Sequence, residues 1–225
     1  MTTFAPAVVT KPWTCILFDL DGTITDSASG ITSRLAVTLD RMGLPVPPPE
    51  GLLRYVGPPI LDAFRDFAGM DEKQSRQALK IYRQLAHQDL TEGITVYPGI
   101  PELLRDVHRA GIPLSLATSK PESQAMPILE HFGLIRRFTE IAGATDDESR
   151  SAKADVVAEA LRRLREKHVS LERVIMVGDR EHDVQGAAAH DVPTIHVSWG
   201  YGTPAEAEGA VAIAHSVDEL RALLL

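Results

Sequence analysis

The sequence predicts an α/β protein, a Rossmann-like parallel sheet with helices on both faces, joined to a small all-helical domain. Three observations predict it. From Tyr97 onward, short apolar runs alternate with amphipathic stretches at helical spacing, the pattern of parallel strands joined by helical crossovers. Upstream, Cys15-Ile16-Leu17-Phe18 reads as one more buried strand. Between the two, from Ser27 to about Glu92, every periodic stretch has helical spacing, so this segment is an insertion.

In that insertion Ile31, Leu35, Leu39 and Met42 repeat at helical spacing before the breaker run Pro45-Val46-Pro47-Pro48-Pro49. Ile60, Phe64 and Phe67 begin a second helix, and Leu79, Tyr82, Leu85 and Ala86 mark a third. The domain division expected from this is 25–93 for the helical unit, with 1–24 and 94–225 forming the α/β core. Beyond it the pattern predicts helix 99–110, strand 112–117, helix 122–132, strand 138–142, helix 152–167, strand 173–177, helix 183–190 and strand 193–197. A last short strand at Val211 to Ile213 and a closing helix from Ser216 to Leu224 complete the order. Pro127 is expected to kink or shorten its helix, because it lacks the amide that the helix interior uses.

Composition fits a compact soluble chain: 225 residues, 44% apolar and 24% charged, enough to bury a sizeable core. With 31 acidic against 23 basic residues the formal charge is −8, which argues against binding a nucleic-acid polymer through its phosphates. The single cysteine, Cys15, sits inside a strand pattern and reads as a buried thiol in a reducing compartment. The stretch Met1 to Trp13 lacks a basic segment followed by a long apolar one, and no run reaches the roughly 18 apolar residues of a membrane span. A cytoplasmic protein, monomer or homodimer, with no membrane partner, is the expectation.

The chemistry is carried by strand ends. Asp19-Leu20-Asp21-Gly22-Thr23 closes the first strand, and residues two apart in an extended segment point the same way, so both acids face one cavity. Read alone, Asp-Gly after a strand is equally a hairpin turn. A second acidic cluster, Gly178-Asp179-Arg180-Glu181-His182-Asp183, follows the strand-like run Val174-Ile175-Met176-Val177. Parallel strands deliver their carboxyl ends to one edge, so Asp19, Asp179 and Asp183 become candidate neighbours. At about 4 Å each like-charged pair costs roughly 4 kcal/mol at an effective dielectric of about 20, and a cation relieves that cost. A small set of oxygens on rigid strand ends suits Mg²⁺ better than zinc or a fully caged Ca²⁺. None of the eight histidines pairs with the cysteine at a zinc spacing, although His182 lies inside the acidic motif.

Two further pieces share this placement. The run Pro113 to Ser119 ends in the hydroxyls of Thr118 and Ser119, which suit either a phosphate oxygen or a helix cap. Lys153 opens a helical pattern that carries Val156, Val157, Ala160, Leu161 and Leu164 on one side. A cation there opposes the helix dipole, which an anion nearby would explain and a solvated surface position equally accommodates. Lys120 is the rival cation, and the Pro121 after it suggests a side chain that points outward.

In order, these pieces resemble the haloacid dehalogenase (HAD) superfamily, whose phosphatases carry Asp-x-Asp-Gly-Thr, a Ser or Thr, a Lys, and Gly-Asp-x-x-x-Asp. The resemblance runs from about Cys15 to the carboxyl end. Tyr55-Val56-Gly57-Pro58-Pro59, Val96-Tyr97-Pro98-Gly99 and Trp199-Gly200-Tyr201-Gly202 are similar to the branch of phosphoglycolate phosphatases and bacterial 5′-nucleotidase-like proteins. It implies a phosphatase acting on a small phosphorylated metabolite, with the helical insertion as a mobile cap linked through Thr25-Asp26-Ser27 and Gly93 to Pro98. Asp19 would be the nucleophile and Asp21 the proton donor and acceptor, its pKa raised by neighbouring negative charge. Mg²⁺ would bind Asp19, the Asp21 main-chain carbonyl and Asp179, with Asp183 orienting the shell. Lys153 and Thr118 would neutralise the phosphoryl oxygens, helped by Ser119 and by main-chain amides after Asp19, beginning with Leu20. In the cap, Arg54 leads Lys80, Arg83 and His87 as the substrate contact, because it precedes the Gly57-Pro58-Pro59 turn. Trp199 and Tyr201 are expected to pack or to line a subunit contact. The acid at Asp21 separates this reading from the dehalogenases; a sugar phosphomutase and a silent phosphate-ligand binding protein are the alternatives.

Overall fold

The structure, a computed structural model, describes residues 13–88 and 90–225, leaving aside the side chains of residues 87 and 88. Strand β1 (Cys15–Phe18) is followed by a two-residue strand β2 (Thr25–Asp26) and helices α1 (Ala28–Arg41), α2 (Pro49–Leu53), α3 (Ile60–Ala68) and α4 (Glu72–Gln88). After β3 (Thr95–Val96) come α5 (Ile100–Arg109), β4 (Leu114–Pro121), α6 (Glu122–His131), β5 (Glu140–Ala144) and α7 (Lys153–Glu166). The chain ends with β6 (Val174–Gly178), α8 (Glu181–Ala188), β7 (Thr194–Val197), β8 (Ala212–Ala214) and α9 (Val217–Leu224).

Six strands form one sheet in the order β5-β4-β1-β6-β7-β8, every neighbouring pair parallel. The expected fold class is met. Strand β1 lies between β4 and β6, with Phe18 opposite both Leu116 and Val177. The chain passes from β1 to β4 and β5 on one side and then crosses from β5 to β6 on the other, so the carboxyl end of β1 opens at the switch point where ligands of such sheets bind. Alternation along β1 serves the two faces: Ile16 and Phe18 pack with α5, α6 and α9 residues such as Leu104, Ile128 and Leu220. Cys15 and Leu17 pack with Val156, Val157 and Ala187 of α7 and α8. Burial pushes the Cys15 thiol up to about 12, as expected of an inert interior sulfhydryl.

Helices α1 to α4 bury a separate apolar cluster, in which Leu35, Leu39, Phe64, Ala78 and Leu79 meet. The segment leaves and rejoins the core through β2 and β3, which pair antiparallel, Thr25 opposite Val96 and Asp26 opposite Thr95. Two-residue strands carry no readable periodicity, so this ribbon has no signature in the sequence. Helix α2 was also not foreseen. It starts at Pro49, within the run read as a breaker, because proline is well suited to the first helical position, where its missing amide has no partner to lose.

Helix α6 runs from Glu122 to His131, close to the expected span, so Pro127 does not end it. Pro127 is on the exposed side, while Ala125, Ile128 and Leu129 hold the other face in the core. Strand β4 runs on to Pro121 with a register shift between Thr118 and Pro121, which turns these residues toward the sheet edge.

Leu104 is fully buried at the α5–sheet contact. Leu104→Ala is expected to destabilise the protein by about 2–5 kcal/mol through lost burial and a residual cavity. The shift of the denaturant midpoint measures it; a loss under about 1 kcal/mol would contradict this packing.

Candidate active site

Asp19 leaves β1 with its amide donating to the Val177 carbonyl at 2.9 Å, which locks the end of β1 against β6. The chain then turns tightly, the Leu20 carbonyl accepting from the amides of Thr23, Ile24 and Thr25. Gly22 stands at φ 90°, and a Cβ on it would lie 2.3 Å from an Asp179 carboxylate oxygen. Only glycine tolerates both the conformation and the approach. The same crowding explains Gly200 and Gly202, where an added Cβ would meet Asp179 atoms at 2.3 Å and 1.9 Å.

Lys153, the first residue of α7, is buried and faces inward. Its Nζ lies 2.8 Å from Asp19 Oδ1 and 2.7 Å from Asp183 Oδ1, and donates to the Ala117 carbonyl at 3.0 Å. Asp183 accepts with its other oxygen from the Arg180 amide at 3.0 Å, so it caps the start of α8 while it holds Lys153. Asp179 is fully buried and accepts from the Thr23 hydroxyl at 3.1 Å and the Tyr201 amide at 2.7 Å. No cationic side chain pairs with it among the described residues.

These surroundings load the site with charge. Burial, opposed by Lys153, raises the Asp19 carboxyl to about 6. Asp179 is pushed well above the usual range by burial and then by the charges of Asp183 and Asp19. Burial depresses Lys153, but Asp183 and Asp19 more than reverse it, and its net shift is upward. One oxygen each from Asp19, Asp179 and Asp183 fall within 4.8 Å of one another. Three buried carboxylates, one of them without a cationic partner, fit a hard divalent cation bound through oxygen.

Asp21 is also buried, but its carboxylate faces other groups. Its Oδ1 accepts from the Ser27 hydroxyl at 2.6 Å, and its Oδ2 lies 2.8 Å from Lys120 Nζ. The outward orientation expected of Lys120 is therefore wrong. The register shift in β4 turns residue 120 back into the site, where its charge meets Asp21. The negative neighbourhood expected around Asp21 is accordingly a cationic one at contact distance.

Above these groups opens a cleft of about 590 Å³, mouth included, between the sheet edge and the helical segment. Asp19, Asp21, Thr118, Ser119 and Lys120 line its floor. Thr118 accepts from the Lys120 amide at 3.2 Å, and the buried Ser119 hydroxyl has no hydrogen-bond partner among the described residues. Neither side chain caps α6, whose cap position is Pro121. Asp179 and Asp183 lie behind Asp19, not on the cleft wall.

Other candidates fall elsewhere. Arg54 is exposed, stacks its guanidinium 4.5 Å from the Phe67 ring centre and does not line the cleft, because the turn after it carries the chain toward Arg180 instead. Lys80 is exposed, and the His87 side chain lies outside the described residues. Arg83 does line the cleft and pairs with Glu148 and the Asp146 carbonyl. Glu148, which sequence reasoning missed, sits in a turn at φ 62°; no periodic signal marks it. His182 borders a separate hollow with Asp62, Asp66 and Lys153. The Trp199 indole donates to the Thr23 carbonyl at 3.2 Å, and the Tyr201 hydroxyl accepts from the Ser27 amide and donates to Asp26. Both aromatics thus tie the β7 loop to the first acidic turn.

Residues 16–197 match the family described as haloacid dehalogenase-like hydrolases. The chain belongs to this family. Its relatives include the tyrosine-protein kinase PtkA of Mycobacterium tuberculosis, 42% identical over 93% of this chain and 72% of that one. A 5′-nucleotidase of Pseudomonas aeruginosa is 37% identical over 85% of each chain, and a phosphoglycolate phosphatase of Pseudomonas savastanoi is 31% identical over 93% and 78%. A predicted phosphatase from Clostridium acetobutylicum has a solved structure that superposes with a TM-score of 0.88, at 37% identity over 94% of this chain and 97% of that one. The resemblance stated from the motifs holds. Among the described residues no helix is long and apolar enough to cross a membrane.

Gly22→Ala is expected to lower hydrolase turnover by about 100-fold or more, since displacements near 1 Å at a reacting group have that effect. A steady-state assay with a melting curve checks it; near-normal turnover would show that Asp179 tolerates displacement.

Proposed function

We propose that this HAD-family protein is a Mg²⁺-dependent phosphomonoester hydrolase that acts on a small phosphorylated metabolite, of the phosphoglycolate or nucleoside monophosphate type, through an aspartyl-phosphate. The observation that carries it is Asp19, buried against Lys153 beneath a cleft whose floor adds Asp21, Thr118 and Ser119. Residues 25–93 act as the cap and residues 1–24 and 94–225 as the core; the chain works in the cytoplasm as a monomer or homodimer.

Asp19 Oδ attacks phosphorus while the ester P–O bond breaks, and the departing alkoxide takes a proton from Asp21. Asp21 then removes a proton from water, the water oxygen attacks phosphorus, and the P–Oδ bond breaks to free phosphate and Asp19. Lys153 keeps Asp19 ionised against the effect of burial. Lys120, on the cleft floor beside Asp21, donates to the incoming phosphoryl oxygens. Thr118, the unpartnered Ser119 hydroxyl and the Leu20 amide donate to the same oxygens. Asp19, Asp179 and the Asp21 carbonyl would hold Mg²⁺, with Asp183 orienting the shell, and the ion would supply Lewis-acid neutralisation of phosphoryl charge.

The relative named a tyrosine-protein kinase supports a second reading, in which a tyrosine hydroxyl replaces water as acceptor. Incubation with ATP, Mg²⁺ and a tyrosine peptide, read by peptide mass, separates the two.

Phosphate release from a panel of phosphomonoesters is expected with Mg²⁺ and to vanish with chelator. Asp19→Asn is expected to abolish it while the circular dichroism spectrum is kept; substantial residual turnover would reject the covalent route. Asp179→Asn is expected to raise the Mg²⁺ concentration needed for half-maximal rate by about tenfold or more. An unchanged titration would move that ligand role to Asp183.

A further inference from the structure

The wall of the cleft opposite Asp19 is apolar. Ile31, Tyr55, Ile60, Leu79 and Tyr82 form it, all from the helical segment. Of these, Ile60 is half-buried, while the others border the cleft from the edge of the segment's own apolar cluster. The cationic side chains that line the cleft among the described residues are Lys120 and Arg83. Each already faces a carboxylate, Lys120 that of Asp21 and Arg83 that of Glu148.

Glu148 adds a third acid to the cleft, beside Asp19 and Asp21. Its side chain is 5% exposed, its backbone is held in the left-handed region that favours glycine, and burial raises its carboxyl. Such a residue stays in place because the surrounding contacts fix it. Arg83 holds it from α4 by pairing with its carboxylate and with the Asp146 carbonyl, so the acid and its partner close the cleft together.

On this arrangement the leaving group of the substrate is an uncharged alcohol bearing an apolar or aromatic ring, and we infer that this cleft selects against esters whose leaving group carries a carboxylate. An anionic leaving group would be desolvated against apolar side chains, beside Glu148, with every lining cation already committed. A ring buries its surface on Tyr55, Ile60 and Tyr82 without that cost. This rests on the phosphatase reading of the site and narrows it: of the two substrate types named above, it favours the nucleoside kind over phosphoglycolate.

Benzyl phosphate and phosphoglycolate decide the matter, since both are alkyl esters and differ mainly in ring against carboxylate. With Mg²⁺, kcat/KM is expected to be at least about tenfold higher for benzyl phosphate. Equal values, or a preference for phosphoglycolate, would overturn the inference and leave the phosphatase reading standing. Hydrolysis of neither, with p-nitrophenyl phosphate inert as well, would remove the phosphatase reading and the inference with it. Ile60→Arg, which places an uncommitted cation on the apolar wall, is expected to shift the ratio toward phosphoglycolate by about tenfold. An unchanged ratio in a variant with a normal melting curve would show that this wall does not contact the leaving group.

Discussion

Three carboxylates and one ammonium share a closed space at the ends of β1 and β6, and the placement of every neighbouring element follows from keeping them there. With Asp19, Asp179 and Asp183 ionised and Lys153 protonated, the cluster carries a formal −2. Burial prevents water from screening it, and the raised carboxyls of Asp19 and Asp179 register that cost. The proposed divalent cation would bring the sum to zero, a balance that no second cationic side chain in contact with Asp179 supplies among the described residues. Lys153 alone does not suffice, because its contacts go to Asp19 and Asp183 and leave Asp179 to a hydroxyl and an amide.

Holding like charges together requires a scaffold that does not relax. The sheet register provides it, since Phe18 sits level with Val177 and the next amide locks Asp19 to that strand. Glycines provide the rest, at 22, 178, 200 and 202, where any side chain would overlap Asp179 or Asp183. The aromatic loop after β7 closes the arrangement from outside, with Tyr201 bonded to both Asp179 and the start of α1. The segment carrying α1 to α4 is tied at further points, through Arg180 to the Val56 carbonyl and through Arg83 to Glu148. The Arg180 guanidinium also pairs with Glu206, so the residue next to Asp179 in sequence links two loops that flank the site.

Much of this was legible in the sequence, for physical reasons that also mark the limits. Apolar runs fixed the strands because a parallel sheet is buried on both faces and needs long unbroken hydrophobic stretches. Asp19, Lys153, Asp179 and Asp183 could be brought together because strand order and helix starts place them at one edge. Lys120 was misplaced because its direction depends on a register shift in β4, which no periodicity reveals. Arg54 was preferred for its position before a turn, but packing on Phe67 decided its direction, and Arg83 took the place facing the cleft. Glu148 lies in a turn whose conformation arises from tertiary contacts, so its entry into the cleft had no local signature. The β2–β3 ribbon is too short to register as a pattern at all.

The inner cluster and the outer cleft are separate in space as well as in role. Among the described residues Asp179 and Asp183 do not line the cleft, while Asp19 belongs both to the cluster and to the cleft floor. Changes in the wall are therefore expected to leave the contacts of Lys153 with Asp19 and Asp183 undisturbed. On the proposed reading the buried charges act at phosphorus and the helical wall meets the group that phosphorus is attached to, so the wall can vary while the enclosed cluster stays fixed.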